Sequence, residues 1–173
     1  VKKNYLPTFN YSTVNIKKNI GLIKNRYLNS VHHLDTQLDR IFKYLEQEKL
    51  LDNTIVVVAG DHGEEFMEKG HWGHNESFHQ EQIRPPLVIY IPGKKHKDIY
   101  RMSSHLDVPA MLAPYLGITN PPEDFCLGYN LLDGDKRNYT VCASWDKICC
   151  IDNRYKYVLS SLPFPEITGL NDQ

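Results

Sequence analysis

The stretch TIVVVAGDHGEEFMEKGHWGH, residues 54–74, joins a purely apolar run to a loop crowded with charged and aromatic side chains. The run is rich in β-branched residues and shows no polar alternation, a pattern typical of a strand buried on both faces of a parallel sheet. The loop that follows contains three of the eight histidines in this 173-residue chain. Because ligands of open α/β sheets bind where loops leave the carboxyl ends of strands, the sequence predicts a functional site in this loop.

A long helix is predicted before this strand. Between residues 24 and 49 the apolar side chains recur at steps of three and four, which is typical of one face of an amphipathic helix. These side chains are Leu28, Val31, Leu34, Leu38, Ile41, Phe42 and Leu45. Residues 1–21 are polar and show little periodicity, and they are predicted to form a loop.

The chain after the histidine-rich loop continues the alternation of strands and helices. Residues 86–91 form a second apolar run and predict another central strand. Residues 104–116 predict a helix that ends at Gly117. Residues 148–151 and 155–159 are short apolar and aromatic runs that predict a β-hairpin. This alternation indicates an α/β fold.

The composition is that of a globular protein of one domain. Hydrophobic residues make up 41% of the chain and charged residues 24%, and the formal net charge is −1. A nearly neutral chain offers no electrostatic basis for nucleic acid or an anionic membrane as its main partner. No apolar run approaches the roughly 20 residues that cross a bilayer, so no membrane-spanning segment is expected in this chain.

The four cysteines, Cys126, Cys142, Cys149 and Cys150, lack the paired spacing of a zinc site. Packed or idle thiols are the favoured interpretation, since small buried thiols are common in protein cores. A disulfide between Cys142 and Cys149, or between Cys126 and Cys142, is the alternative that the sequence leaves open.

The loop itself begins with a pair of potential metal ligands. Asp61 and His62 stand where the chain leaves the predicted strand, and a carboxylate next to an imidazole is half of a divalent-metal site. The alternative is an Asp–His pair that is satisfied by its own hydrogen bonds, without a metal. Glu64, Glu65 and Glu68 follow and could be ligands too, but we expect three Glu near a helix start to serve the helix dipole and the solvent.

Two segments of the chain resemble the sulfatase family, within the alkaline phosphatase superfamily of metal-dependent hydrolases and transferases. They are residues 54–74, quoted above, and residues 83–93, IRPPLVIYIPG. Residues 25–54 are similar to the family's long helix before the metal-binding strand. Residues 103–118, SSHLDVPAMLAPYLGI, resemble its segment in which a carboxylate-bearing turn opens a helix.

The resemblance implies a fold and a size. The expected architecture is alkaline-phosphatase-like, with a mostly parallel sheet flanked by helices and a small C-terminal β-hairpin region. Residues 1–173 are expected to be the C-terminal portion of a single sulfatase-like domain. His105 and Asp107 match a segment of the family whose role is mainly structural.

The resemblance also implies roles for single residues in the loop. Asp61 and His62 match the family's second pair of metal ligands. His74 lies twelve residues after His62, where relatives carry a Lys or His that contacts the sulfate or phosphate oxygens or assists the leaving group. Such a donor, aimed at developing negative charge, commonly contributes about 10²–10³ in rate. His71 has no fixed counterpart and is a second catalytic candidate.

The implied cofactor is one divalent metal ion. Sulfatases that bind calcium usually carry an amide where His62 stands, in keeping with calcium's preference for oxygen ligands. An imidazole favours zinc or manganese, as in the phosphoethanolamine and phosphoglycerol transferases of the superfamily. Calcium and magnesium remain alternatives.

Other parts of the family's active site are not found in this sequence. The family's nucleophile is a Cys or Ser in a C/S-x-P-x-R motif, or a Thr, far upstream of the metal-binding strand. The stretch SLPFP at Ser161 lacks the arginine and follows the loop, while Thr8, Ser12 and Thr13 lie too close to the loop in sequence. The first pair of acidic ligands is also missing. The isolated chain is therefore expected to be inactive and to bind metal weakly.

The predicted function is that of a fragment of a metal-dependent hydrolase of sulfate or phosphate esters, or of a phospho-group transferase. Its expected partners are the ester substrate and the remainder of its own domain. The alternative is a sulfatase-like module that has lost catalysis and acts in binding or regulation. A third possibility is a plain α/β domain without metal. The resemblance implies an extracytoplasmic location, on the periplasmic side, in a membrane-anchored protein.

Overall fold

The computed structural model describes residues 1–134, 137–160 and 165–172, so the stretch at Ser161 lies outside the described residues. The chain divides into two compact units, Val1–Lys95 and His96–Gln173. The first unit contains the histidine-rich loop.

Helix α1 of the first unit spans Ile16–Gln47. The predicted helix is confirmed, but it begins eight residues earlier than expected, because the side chain of Asn15 accepts a hydrogen bond from the backbone N–H of Lys18 at 3.0 Å and caps the first turn. The loop prediction is therefore wrong for residues 16–21. No helix within the described residues is both long and apolar enough to cross a bilayer.

The apolar face of α1 is only partly covered. Leu28, Val31, Leu34 and Ile41 keep between 39% and 57% of their surface exposed, whereas Ile23 is buried. The periodicity therefore predicted the helix correctly, but the apolar face of α1 does not lie in the core of the described residues.

Strand β1, Val56–Ala59, pairs with strand β4, Leu87–Tyr90. The pair is antiparallel, with Ala59 opposite Leu87. The prediction of a mostly parallel sheet is thus not met by the described strands, all of whose pairs are antiparallel. An apolar run indicates that a strand is buried, but it does not by itself determine the direction of that strand in the sheet. Val88 is 64% exposed, so this strand pair is not buried on both faces among the described residues.

Between β1 and β4 the loop folds into a small hairpin. Strand β2, Glu65–Phe66, pairs with strand β3, Trp72–Gly73, and the backbone N–H of Met67 donates to the carbonyl of His71 at 2.8 Å. This hairpin reverses the chain and returns the residues that follow β3 toward the end of β1. A short helix, α2, Gln80–Ile83, comes next.

Gly63 fixes the start of the loop against α2. Its backbone N–H donates to the carbonyl of Gln82 at 2.7 Å. A Cβ atom at residue 63 would lie 2.0 Å from the carbonyl oxygen of Glu81, so no larger residue fits without moving the backbone. The close approach requires glycine.

The loop is held together by the buried carboxylate of Glu65, whose side chain has no exposed surface. One oxygen accepts from the backbone N–H groups of Lys69 and His71, at 3.0 and 3.1 Å. The other accepts from Gln82 at 2.8 Å and lies 2.9 Å from Nδ1 of His79. The hydroxyl of a nearby serine, Ser77, adds a contact at 3.4 Å. These five groups come from the whole length of the loop, so the side chain of Glu65 stabilises the folded conformation of the loop.

The electrostatics of Glu65 follow from these contacts. Burial raises the pKa of its carboxyl, but the hydrogen bonds from Gln82, His79 and the two backbone amides lower that pKa by more, so it lies below the ordinary value of 4.5. The expectation that Glu64, Glu65 and Glu68 serve a helix dipole is wrong, because the chain forms β2 at this point and no helix begins there.

Glu68 links the loop to α1. Its carboxylate forms an ion pair with Nζ of Lys24 at 2.5 Å and accepts a short hydrogen bond from the backbone N–H of Phe66. The ammonium group of Lys24 also lies 5.6 Å from the centre of the Phe66 ring. The first unit therefore anchors the hairpin on both sides, through Glu65 toward α2 and through Glu68 toward α1.

The second unit is built on a four-stranded antiparallel sheet. Its strands follow one another in the order of the chain, and they are β5, Tyr139–Ala143; β6, Lys147–Asp152; β7, Tyr155–Ser160; and β8, Glu166–Gly169. The predicted hairpin is confirmed as β6 and β7. Asp152 closes its turn by accepting from the backbone N–H groups of Arg154 and Tyr155, both at 2.7 Å.

A short helix, α3, Asp107–Leu112, continues as a 3₁₀ helix, Ala113–Leu116, and ends at Gly117 with φ of 76°, as predicted. Asp107 is 1% exposed. It accepts from the backbone N–H groups of Ser104 and Tyr129 and forms an ion pair with Arg137. These contacts join three segments of the second unit, which agrees with the structural role expected for Asp107.

We predict that Glu65→Gln destabilises the first unit by roughly 1–3 kcal/mol. The amide keeps the size of the side chain but places a donor among groups that are themselves donors. Denaturant unfolding, monitored by the fluorescence of Trp72 in the loop, measures the change. Glu76→Gln is the matched control, because Glu76 lies in the same loop with 63% of its side chain exposed. Equal stability of both variants would contradict the role of Glu65.

The effect of Glu65→Gln is also expected to depend on pH. The folded-state pKa of Glu65 lies below its unfolded value near 4.5. Its ionised form therefore stabilises the folded state fully above that pH, and this contribution is lost as the pH falls through the folded-state pKa. The free energy of unfolding of the native protein should approach that of the variant on acidification. A difference that stays constant down to acidic pH would contradict this assignment.

Candidate metal centre

Asp61 and His62 lie directly beyond the end of β1. The backbone N–H of Gly60 donates to the carbonyl of Pro86 at 3.0 Å, which extends the pairing of β1 with the β4 side of the sheet up to this point. The carboxylate of Asp61 is 89% exposed and lies 3.6 Å from Nε2 of His62. The hydrogen bond from the backbone N–H of His62 lowers the pKa of Asp61 below its ordinary value, so the group is ionised at neutral pH.

The ring of His62 is fixed by a backbone contact. Its Nδ1 lies 2.9 Å from the carbonyl oxygen of Gly63. A carbonyl oxygen only accepts hydrogen bonds, so Nδ1 carries a proton, and in the neutral ring the lone pair is then on Nε2, an assignment made from this contact. Metal-binding histidines commonly donate their second N–H to a carbonyl in this way. The other ring nitrogen, Nε2, is the one that faces Asp61.

His74 lies against His62. The centres of the two imidazole rings are 4.0 Å apart and the rings are tilted by 33°. Nδ1 of His74 lies 2.8 Å from a carboxylate oxygen of Glu64, which is 20% exposed. The hairpin of β2 and β3 produces this contact, because it reverses the chain between Glu64 and His74. Three of the predicted site residues, Asp61, His62 and His74, thus come together.

The donor set fits a divalent transition metal. One ligand atom from each of His62, Glu64 and His74 can be chosen so that all lie within 4.8 Å of one another. Two donors that share one ion at about 2.0–2.2 Å each lie roughly 3–4 Å apart, which is also the spacing of Asp61 and His62. Imidazole nitrogens with carboxylate oxygens suit zinc or manganese better than calcium. Across the described ranges, no other group of three such side chains gathers so closely.

The second catalytic candidate, His71, belongs to a different cluster. Its ring lies edge-on to that of His79, with the centres 5.1 Å apart, and its Nδ1 is 3.5 Å from a carboxylate oxygen of Glu76. Its backbone N–H donates to Glu65. Among the described residues, these contacts do not include Asp61, His62 or His74. The structure therefore does not place His71 with these three residues, and its catalytic role stays a prediction.

The sequence did not predict the contacts of two acidic residues, Glu64 and Glu65. Glu64 lies two residues after His62, and side chains two apart share one side of an extended chain, which is the signal that indicates it. Glu65 contacts His79, fourteen residues away. No local pattern predicts a pairing at that separation, because it depends on the turn of the hairpin.

Comparison with known proteins gives a family for this geometry. A family model described as Sulfatase matches residues 2–118. Choline-sulfatase of Rhizobium meliloti (strain 1021) is 26% identical over 157 residues, which cover 84% of this chain and 30% of that protein. The lipoteichoic acid synthase-like protein YvgJ of Bacillus subtilis (strain 168) is 28% identical over 171 residues, which cover 86% of this chain and 25% of that protein.

The fold is shared with a solved phosphonate monoester hydrolase from Silicibacter pomeroyi. Its TM-score is 0.73 at 18% sequence identity, with 94% of this chain and 38% of that chain covered. The chain spans less than a third of the length of the curated relatives that it matches. Since the family model covers more than half of its residues, the chain belongs to the sulfatase family.

Proposed function

We propose that this chain provides the second half of the metal site in a sulfatase-like enzyme that acts on sulfate or phosphate esters, as a hydrolase or a phospho-group transferase. The observation that carries the proposal is the meeting of Asp61, His62 and His74 beyond β1, with Glu64 behind His74. A bound divalent ion would polarise an oxygen of the transferred group and neutralise its charge.

Asp61 and His62 would hold the ion. The carboxylate of Asp61 is ionised, and Nε2 of His62 faces it, so the neutral imidazole with its proton on Nδ1 would present a lone pair beside the carboxylate. The carbonyl of Gly63 keeps the imidazole in this tautomer. Gly63 is itself held by its contact with the carbonyl of Gln82, so the orientation of His62 depends on the packing of the loop.

His74 would face the transferred group. Glu64 holds Nδ1 of its ring, which leaves Nε2 to contact the sulfuryl or phosphoryl oxygens or to assist the leaving group. The ring of His62 supports His74 on one side. A donor that is oriented before the substrate arrives stabilises developing charge without reorganising during the reaction.

The substrate class follows from the relatives. The names of the matched proteins refer to a sulfate ester, a phosphonate monoester and a lipoteichoic acid, which all offer a tetrahedral oxyanion centre. We propose that the complete protein acts on such a centre, that the remainder of its domain supplies the nucleophile and the other ligands, and that it works in an extracytoplasmic location.

The metal site is tested by titrating the chain with zinc and with manganese, with the binding measured by calorimetry. We expect weak binding by the isolated chain, because it holds only part of the ligand set, and a loss of affinity of at least about tenfold in His62→Ala. His96→Ala is the matched control, because His96 is 85% exposed and lies in the second unit. Binding that His62→Ala leaves unchanged, or that His96→Ala reduces equally, would show that the ion is held elsewhere.

The role of His74 is tested in the complete protein that contains this chain. We expect His74→Ala to lower kcat by about 10²–10³ on an aryl sulfate or aryl phosphate, while metal content stays unchanged. His33→Ala, on the exposed side of α1, serves as the control, and His71→Ala tests the second candidate in the same assay. The isolated chain should show no turnover. Turnover by that chain which His74→Ala abolishes would contradict the proposal of a divided active site.

A further inference from the structure

Two cysteines of the second unit face each other across neighbouring strands. Cys142 on β5 is the direct partner of Cys149 on β6. Opposite residues of an antiparallel pair have Cα atoms about 4.5–5.5 Å apart. Disulfides form at Cα separations of about 4.4–6.8 Å, so the strands already hold these residues within the required range. Both cysteines are reduced in the structure.

The two side chains are in contact and differ in exposure. Because the two residues are directly opposite, their side chains lie on the same face of the sheet, and the thiol of Cys149 donates to the carbonyl of Cys150 at 3.9 Å. Cys149 has no exposed surface, whereas Cys142 is half-buried. A reagent in solution can therefore reach the sulfur of Cys142 first, and Cys149 lies behind it as the second thiol.

A buried cation lies near the pair, and its charge lowers the pKa of both thiols. Lys156 on β7 is 1% exposed and forms an ion pair with Asp172. The hydrogen bond from Cys149 lowers the pKa of the Cys142 thiol, and the charge of Lys156 lowers it further. The same hydrogen bond and burial raise the pKa of Cys149. The more accessible sulfur is thus the one that more readily becomes a thiolate, the form that attacks disulfides.

We propose that Cys142 and Cys149 form a redox-active dithiol that small-molecule disulfides oxidise to a cross-strand disulfide. The site lies in the second unit and does not depend on the proposed function of the histidine-rich loop.

The reaction proceeds in two exchange steps. The Cys142 thiolate attacks one sulfur of the small disulfide and displaces the other sulfur as a thiolate, which leaves a mixed disulfide on Cys142. Cys149, after losing its proton, attacks the sulfur of Cys142 and displaces the second small thiolate. Two electrons pass from the cysteine sulfurs to the small disulfide, and the two released thiolates take up the two protons.

The remaining cysteines do not have this arrangement. Cys150 follows Cys149 in the strand, so its side chain points to the opposite face, and its partners across the strands are Val141 and Tyr157. Cys126 lies before β5, outside the sheet. The register therefore selects one pair out of four cysteines.

The disulfide would fasten the edge of the sheet. Among the described strands, β5 pairs only with β6. Its outward side chains Tyr139 and Val141 are 59% and 48% exposed. A covalent link from Cys142 to the buried Cys149 would hold β5 in register and reduce its fraying, a common weakness of edge strands.

The test equilibrates the folded protein with mixtures of reduced and oxidised dithiothreitol, then quenches it in acid and alkylates the remaining thiols. We expect two of the four thiols to lose reactivity together. Digestion with trypsin, which cleaves after Lys147, should yield the peptide of Cys142 joined to residues 148–154. All four thiols remaining reactive across the whole series would overturn the proposal.

Cys149 and Cys150 lie in the same tryptic peptide, so digestion alone does not show which of them is joined to Cys142. Variants identify this second sulfur. We expect Cys150→Ser and Cys126→Ser to keep the joined peptides, and Cys142→Ser and Cys149→Ser to lose them. The oxidised native protein should melt at a higher temperature than the reduced one. If Cys149→Ser fails to fold, Cys150→Ser decides the same point, because joined peptides that persist in it contain Cys149 as the second sulfur. Joined peptides that persist in Cys142→Ser, or that are lost in Cys150→Ser, would contradict the pairing.

Discussion

The geometry of the candidate metal centre, formed by Asp61, His62 and His74, depends on one buried negative charge. A carboxylate without exposed surface is costly unless hydrogen bonds replace the water that it has lost, and Glu65 meets this requirement with donors from both ends of its loop. The hydrogen bonds that stabilise the charge of Glu65 therefore form only when the loop folds. The hairpin of β2 and β3 closes around Glu65, and its closure carries His74 back to His62.

The sequence predicted those features of the fold that depend on neighbouring residues. The apolar run of β1, the hairpin of β6 and β7 and the end of the 3₁₀ helix at Gly117 were all recovered, because each has a local cause in side-chain pattern or backbone conformation. The direction of β4 relative to β1 was not predicted correctly. Strand direction depends on how a connection of more than twenty residues folds, and apolar content does not encode that.

The candidate site shows the same division between local and distant causes. Asp61 and His62 were predictable because they are adjacent and stand at a strand end, and the carbonyl that fixes His62 belongs to the next residue. That His74 belongs to the same site as Asp61 and His62 was expected from the resemblance to a family, but its contact with the ring of His62 was not predicted. The function of Glu65 could not be predicted, because its donors are assembled only after the loop has turned.

The hydrogen bond between Glu64 and His74 bears on which of the four polar side chains could be ligands of an ion. These side chains are Asp61, His62, Glu64 and His74. An ionised carboxylate only accepts hydrogen bonds, so the 2.8 Å contact places a proton on Nδ1 of His74. A metal ion bound at that nitrogen would have to displace the proton and break the contact. Binding at Nε2 of His62 would break no such contact, because the hydrogen bond of that ring is made by its other nitrogen, Nδ1. The hydrogen bonds thus favour Asp61 and His62 as the ligands of the ion, with Glu64 acting through His74 by fixing its orientation.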